Sequence, residues 1–209
     1  MHDELTNLAR EMLKNGSAAV LADFLENQDN DDADVVRALG TPDEVVRYLL
    51  PRYLPPTFVY ECDFFSNHEQ LEFILLKSTL EQKFLFEVGC DFASDILSHY
   101  EQWNPHDRRP HQTLEAMRKW IAGMISNDEL TMIRCEMRRP KPTTAISRAV
   151  VRIVYSASNP DSWAAHLVAS RCAYDTAIGS QRIFGEEQLA RQLAIVKKKL
   201  LSEFNINQT

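Results

Sequence analysis

The chain has 209 residues, 44% hydrophobic and 25% charged, with a formal net charge of −7, the make-up of a water-soluble globule with room for one large core, or one core and a small appendage. No run approaches the roughly 18 consecutive apolar residues of a membrane span, and the opening MHDELTNLAREML has acids at helical spacing where a signal peptide has a basic cap and an apolar block, so a cytoplasmic protein is expected. The whole of the −7 lies in residues 1–61, where 12 acids face 5 bases, while residues 62–209 hold 18 of each; this argues against direct nucleic-acid binding and for a protein partner.

Leu5, Leu8, Met12 and Leu13 predict an amphipathic first helix ending at Asn15-Gly16, and Ala18 to Leu25 predict a second. The run Asp29-Asn30-Asp31-Asp32-Ala33-Asp34 then reads as a solvated acidic loop, or as a patch able to steer a basic partner through Asp31, Asp32 and Asp34. Thr41-Pro42-Asp43-Glu44 combines an N-cap, a first-turn proline and a capping-box glutamate ahead of Val45, Val46, Leu49 and Leu50. Pro51, Pro55 and Pro56 end that helix and mark a boundary, giving an acidic helical segment over 1–56 and a larger helical domain over 57–209.

In the larger domain the apolar spacing predicts helices over 69–80 and 82–103, the latter open to interruption near Gly89. Asp107 can cap a helix whose first turn holds Pro110, with Leu114, Met117, Ile121, Met124 and Ile125 as its buried face. A loop rich in Arg and Pro follows over 134–143. Ile146, Val150, Ile153 and Val154 predict a further helix, and Asn159-Pro160-Asp161-Ser162 start another, in which Ala164, Ala165, Ala169, Ala173 and Ala177 permit close packing against neighbours. Leu189, Leu193, Val196 and Leu200 outline the last helix, with Lys197 to Lys199 near its C-terminal end. Thr57 to Phe65 and Thr131 to Met137 have some strand character. The expected fold is an all-α multi-helix bundle with a small acidic helical N-terminal segment.

Chemistry-bearing patterns are scarce. Cys62, Cys90, Cys135 and Cys172 lie 28, 45 and 37 residues apart, without a C-x-x-C or a nearby His at ligand spacing, so buried reduced thiols are expected and neither a metal nor any other cofactor. Six bases against one acid between Arg134 and Arg152 are split by Pro140 and Pro142 and lack interleaved aromatics, which makes a poor nucleic-acid groove. No nucleophile elbow, Walker loop, dinucleotide fingerprint or zinc-protease motif is present. The one enzyme-like hint is His106-Asp107, which with His68 or His99 and Asp161 or Asp175 could form an HD-type metal phosphohydrolase site; Asp107 is better explained as a helix cap.

The densest cluster is DRRPHQTLEAMRKW at 107–120. Glu115 is spaced to pair with Arg118 or Lys119 along the helix, and Arg118 beside Trp120 brings together residue types enriched at interface hot spots. Asp107, Arg109-Pro110, Leu114-Glu115, Arg118 and Trp120 resemble a D-x-R-P-x-x-x-[IL]-E-x-x-R-x-W signature of immunity proteins of bacterial polymorphic toxin systems. Cys90-Asp91-Phe92-Ala93 with Ile96-Leu97 before it, and the Ala-rich helix with Trp163, Ala164, Ala165 and His166 after it, look like that family's flanking helices. Where the family tends to pair histidines in the later helix, His166 stands alone and is followed by Arg171-Cys172, a departure that removes any role tied to such a pair. The resemblance implies a non-catalytic inhibitor that binds a toxin, with Asp107, Arg109, Glu115, Arg118 and Trp120 at the partner surface. A counter-defence inhibitor of a nucleic-acid-processing machine, of the anti-CRISPR kind, is the alternative, and oligomeric state is open.

Overall fold

A computed structural model describes residues 2–28, 30–77, 80–137, 145–158 and 165–203. Helix is the dominant element among the described residues, with no strand among them, and they fall into two compact units, Met1–Ser66 and Asn67–Thr209.

The N-terminal unit holds α1 (His2–Asn15), α2 (Ala19–Glu26), α3 (Asp32–Ala38) and α4 (Pro42–Leu49), followed by a 3-10 segment at Pro56–Glu61. Gly16, at φ +73°, takes the left-handed conformation that closes α1. Leu5, Ala9 and Met12 bury one face of α1, while Leu8 and Leu13 are half-buried. At α4 the expected capping box is complete: Glu44 N–H donates to Thr41 Oγ1, and the Glu44 carboxylate accepts the Thr41 N–H at 3.0 Å. Val45, Val46 and Leu49 are thereby aimed inward and fully buried.

Two expectations fail in this unit. The second half of the acidic run, from Asp32, is helix, not loop: the Asp32 N–H donates to Asn30 Oδ1 at 2.9 Å, Ala33 and Val36 bury one face of α3, and Asp32 and Asp34 suit the positive end of its dipole; Asp29 lies outside the described residues. The strand tendency of 57–65 is overridden as well. Arg10 holds the Glu61 carboxylate through Nε and Nη2, each at 2.7 Å, and Arg47 lies 4.4 Å from the Phe65 ring centroid. These contacts bind the segment to the first unit, Met1–Ser66.

The larger unit contains α5 (Asn67–Glu72) running into a π-helical turn at Phe73–Lys77, then α6 (Gln82–Asp95), α7 (Leu97–Glu101), α8 (Arg109–Ile121), α9 (Asn127–Met137), α10 (Ala145–Ala157), α11 (Ala165–Phe184) and α12 (Glu186–Glu203). α11 packs on α6, α10, α12 and the π turn, and buried Ala173 and Ala177 leave room for that close approach. α12 is tied to α6 by charge: Asp95 accepts from Gln188 and Arg191, both at 2.5 Å, and Lys199 reaches Glu87 at 2.9 Å and Asp91 at 3.3 Å. The break in the 82–103 stretch falls at Ile96, not at Gly89, which is buried within α6. Ser94 Oγ bonds back to the Cys90 carbonyl at 2.8 Å, a competition with the helix ladder that favours a bend there.

Residues 131–137, expected to have strand character, are helical in α9, because Ser126 and Glu129 form a reciprocal cap at its start. Cys62 and Cys90 are buried as expected, and burial pushes each thiol up to about 12; Cys135 is exposed, against expectation. The Asn159 cap, Asp161, Trp163, Ala164, the side chains of Ala165, His166, Ala169, Arg171 and Cys172, and most of the 134–143 loop lie outside the described residues. No helix among the described residues is long and apolar enough to cross a membrane.

Candidate functional site

The 107–120 stretch forms the end of the loop after α7 and nearly all of α8. Asp107 accepts the Arg109 backbone N–H at 3.1 Å and Arg109 Nε at 2.7 Å, and its other oxygen accepts from Arg109 Nη2 and from the Tyr100 hydroxyl. The Arg109 guanidinium is the main cause that holds this carboxyl down near 2, outweighing the opposing effect of burial. Burial, and then the bond to Asp107, push the Tyr100 hydroxyl up to about 12. Asp107 is not a simple N-cap: Arg108 occupies the cap position without a side-chain cap bond, and the carboxylate serves chiefly to lock Arg109. Arg109 Nη1 is buried and has no acceptor among the described residues, while the rest of the guanidinium is held by Asp107.

Farther along α8 the signature residues also turn inward. Arg118 Nη2 donates to Ser94 Oγ at 2.9 Å and to Asp91 at 3.2 Å, joining α8 to α6. Trp120 meets the Phe86 ring edge-on at 5.3 Å and donates its indole N–H to Asn127 Oδ1 at 2.5 Å. Of the two pairings open to Glu115, the one formed is with Lys119, at 2.7 Å on the exposed face. Leu114 and Met117 are buried as expected, but the helix ends at Ile121, Gly123 turns the chain at φ +71°, and Met124 is 73% exposed.

Two features here have no sequence signal. Glu101 accepts from His111 Nε2 at 2.6 Å and from Arg108 at 3.4 Å, which fastens the loop between α7 and α8. Trp103, in that loop, is 59% exposed. The partners Tyr100, Phe86, Asp91 and Ser94 are set by how α6 and α7 pack beside α8, which residue spacing within 107–120 does not encode.

In the N-terminal unit the acidic residues divide by role. Asp32 accepts the Tyr48 hydroxyl at 2.5 Å and the Tyr53 hydroxyl at 2.7 Å, and these bonds hold its carboxyl below the usual range. Asp31 is exposed. Asp34 is also exposed and has Arg37 at 3.6 Å. Arg37 in turn reaches Asp23 at 3.1 Å and Glu26.

Of the residues considered for a phosphohydrolase site, Asp161 lies outside the described residues. Asp107 is saturated by Arg109 and Tyr100, His99 stacks on Phe184 at 4.2 Å, and His68 shares a 2.9 Å hydrogen bond with Tyr174. Among the described residues no group of three or more His, Cys, Asp or Glu is placed to hold a metal ion.

The fold and this surface define an all-α protein in which α8 is anchored on α6. A family model described as "Imm-5 like putative immunity protein" matches residues 76–138. That span takes in α6 to α9, with the whole 107–120 stretch, and leaves out the N-terminal unit and the Ala-rich α11. No curated protein and no solved structure matches the chain.

Proposed function

We propose that the chain is an immunity protein, a non-catalytic inhibitor that binds a bacterial toxin and neutralises it by covering its working surface. The similarity of residues 76–138 to an immunity-protein family carries this reading. The bonding around α8 supports it in a specific way: Asp107, Arg109 and Trp120 hold the helix in place, Glu115 faces solvent with its side chain 65% exposed, and Arg118, though bonded to Asp91 and Ser94, leaves 48% of its side chain open to a partner. A surface fixed before binding loses little ordering entropy on association. Asp31 and Asp34, exposed in the acidic unit, would act at longer range by steering a basic toxin and raising its association rate.

The test is co-expression with the toxin encoded beside this gene, in a host that the toxin kills. Growth should be restored, the two proteins should copurify, and protection should titrate at one chain per toxin. Failure to protect against any neighbouring toxin would refute the reading. Protection at far below one chain per toxin would show turnover instead of occlusion.

A further inference from the structure

The charged clefts of the two units leave over opposite signs. In the N-terminal unit Glu26, Asp31 and Asp34 outnumber Arg37. In the larger unit a cleft of about 280 Å3 draws its ions from α6, α8 and α12: Lys83, Glu87, Asp91, Arg118 and Lys199. Three cations against two carboxylates leave one positive charge over.

The pairing inside this cleft decides which groups remain for a partner. Lys199 Nζ takes both carboxylates, Glu87 at 2.9 Å and Asp91 at 3.3 Å. Arg118 shares Asp91 through Nη2, and the same nitrogen donates to Ser94 Oγ. The acids are therefore spent within the chain, whereas Arg118 Nε and Nη1 and the Lys83 ammonium have no acceptor among the described residues. Both side chains are exposed. Lys83 is also misplaced for the fold's own electrostatics: it stands in the first turn of α6, where the helix dipole disfavours a cation, and no acid accompanies it in that turn. Its charge stabilises nothing that the structure shows.

The surplus sets the charge of the occupant. A doubly charged phosphate would exceed it and lie beside Glu87 and Asp91, while a single carboxylate balances it and gains charge-assisted bonds from a guanidinium and an ammonium. Ile121 and Ala122 line the same cleft and offer an apolar wall to the methylene stem of such a side chain.

We infer that this cleft docks a carboxylate side chain, Asp or Glu, presented by the protein partner: Arg118 and Lys83 bind it, and Lys199 is a positioning residue that keeps Glu87 and Asp91 from repelling it. The inference deepens the immunity reading and rests on it for the partner's identity. A basic toxin drawn in by the acidic unit would carry this carboxylate at its contact surface.

The test uses the full chain, isotope-labelled, titrated at millimolar concentration with N-acetyl-glutamate methylamide and, separately, with its neutral glutamine counterpart and with inorganic phosphate. The glutamate probe should shift the amide signals of Lys83, Ile121 and Ala122 and the Arg118 Nε–H signal, less so as salt is added, and the glutamine probe should not. Lys83→Glu should abolish the shifts and Lys83→Arg should keep them; an acid in the first turn suits the helix, so the reversal leaves the remaining spectrum in place. Lys199→Met should weaken the shifts by freeing Glu87 and Asp91. Absent shifts, equal shifts with the glutamine probe, shifts that survive Lys83→Glu, or stronger binding of phosphate than of the glutamate probe would overturn the assignment. So would self-association lost in Lys83→Glu, since the occupant would then be a second copy of the chain. In the toxin assay Lys83→Glu should weaken binding at least tenfold and Lys83→Arg should restore it. Protection by Lys83→Glu equal to that of the unaltered chain removes the cleft and keeps the immunity reading, whereas glutamate binding at these residues without any protection does the reverse.

Discussion

Asp107→Asn removes the charge at the root of α8 while keeping the side chain's size. In the folded protein Asp107 is held near 2, against an ordinary value of 3.8, a displacement worth roughly 2.5 kcal/mol at about 1.36 kcal/mol per unit. With 18% of the side chain facing water, screening lowers the expected loss to about 2 kcal/mol. For the larger unit this corresponds to a fall in melting temperature of roughly 4–8 °C at neutral pH. The sign of the pH dependence follows from the depressed value. The ion pair stabilises fully above the unfolded carboxyl's value of about 4, and its contribution is lost as the pH falls through about 2. Thermal unfolding of both proteins at several pH values, followed by circular dichroism, should therefore show a gap that is constant above about pH 4–5 and closes below it. A variant that melts within about 1 °C of the original at pH 7, or a gap that does not change with pH, would refute the assignment of Asp107 as the charged anchor of Arg109.

Trp120→Ala should lower stability by about 2–3 kcal/mol, because the indole is half-buried against Phe86, whereas Trp120→Phe, which keeps the edge-on contact and loses only the bond to Asn127, should cost about 1 kcal/mol; equal losses in chemical denaturation would contradict this split. Replacing Asp32 with Asn should destabilise the N-terminal unit, since two tyrosine hydroxyls donate to it, while Asp31→Asn with Asp34→Asn should leave melting unchanged and, in a toxin complex, slow association and flatten its salt dependence. Stopped-flow binding at two salt concentrations distinguishes these outcomes. Among the described cysteines, Cys135 should react with a thiol reagent in the native state and Cys62 and Cys90 should resist, because burial keeps their thiols protonated; peptide mapping after a short labelling pulse checks the order.

What the sequence determined by itself is mostly local. The all-α class, the Thr41–Glu44 capping box, the end of α1 at Gly16, the inward face of α4 and the burial of Leu114 and Met117 in α8 follow from caps, turns and apolar spacing within a few residues of one another, and local signals of that kind are written in order along the chain. The segments at 57–65 and 131–137 show where this stops, since their strand tendency yields to Arg10 and Arg47 in one case and to the Ser126 cap in the other. At the candidate site the sequence marked the helix at 107–120 and its residue types, but their roles depended on neighbours brought in by packing. Tyr100 takes the second oxygen of Asp107, Asp91 and Ser94 take Arg118, Phe86 takes the face of Trp120, and Tyr48 and Tyr53 take Asp32 out of the acidic surface. Only the tertiary structure decided which charges stayed exposed and which were spent inside the chain. A hydrogen bond between helices depends on the angle and register at which they pack, and those are set by the whole core, not by the spacing of the residues that form the bond.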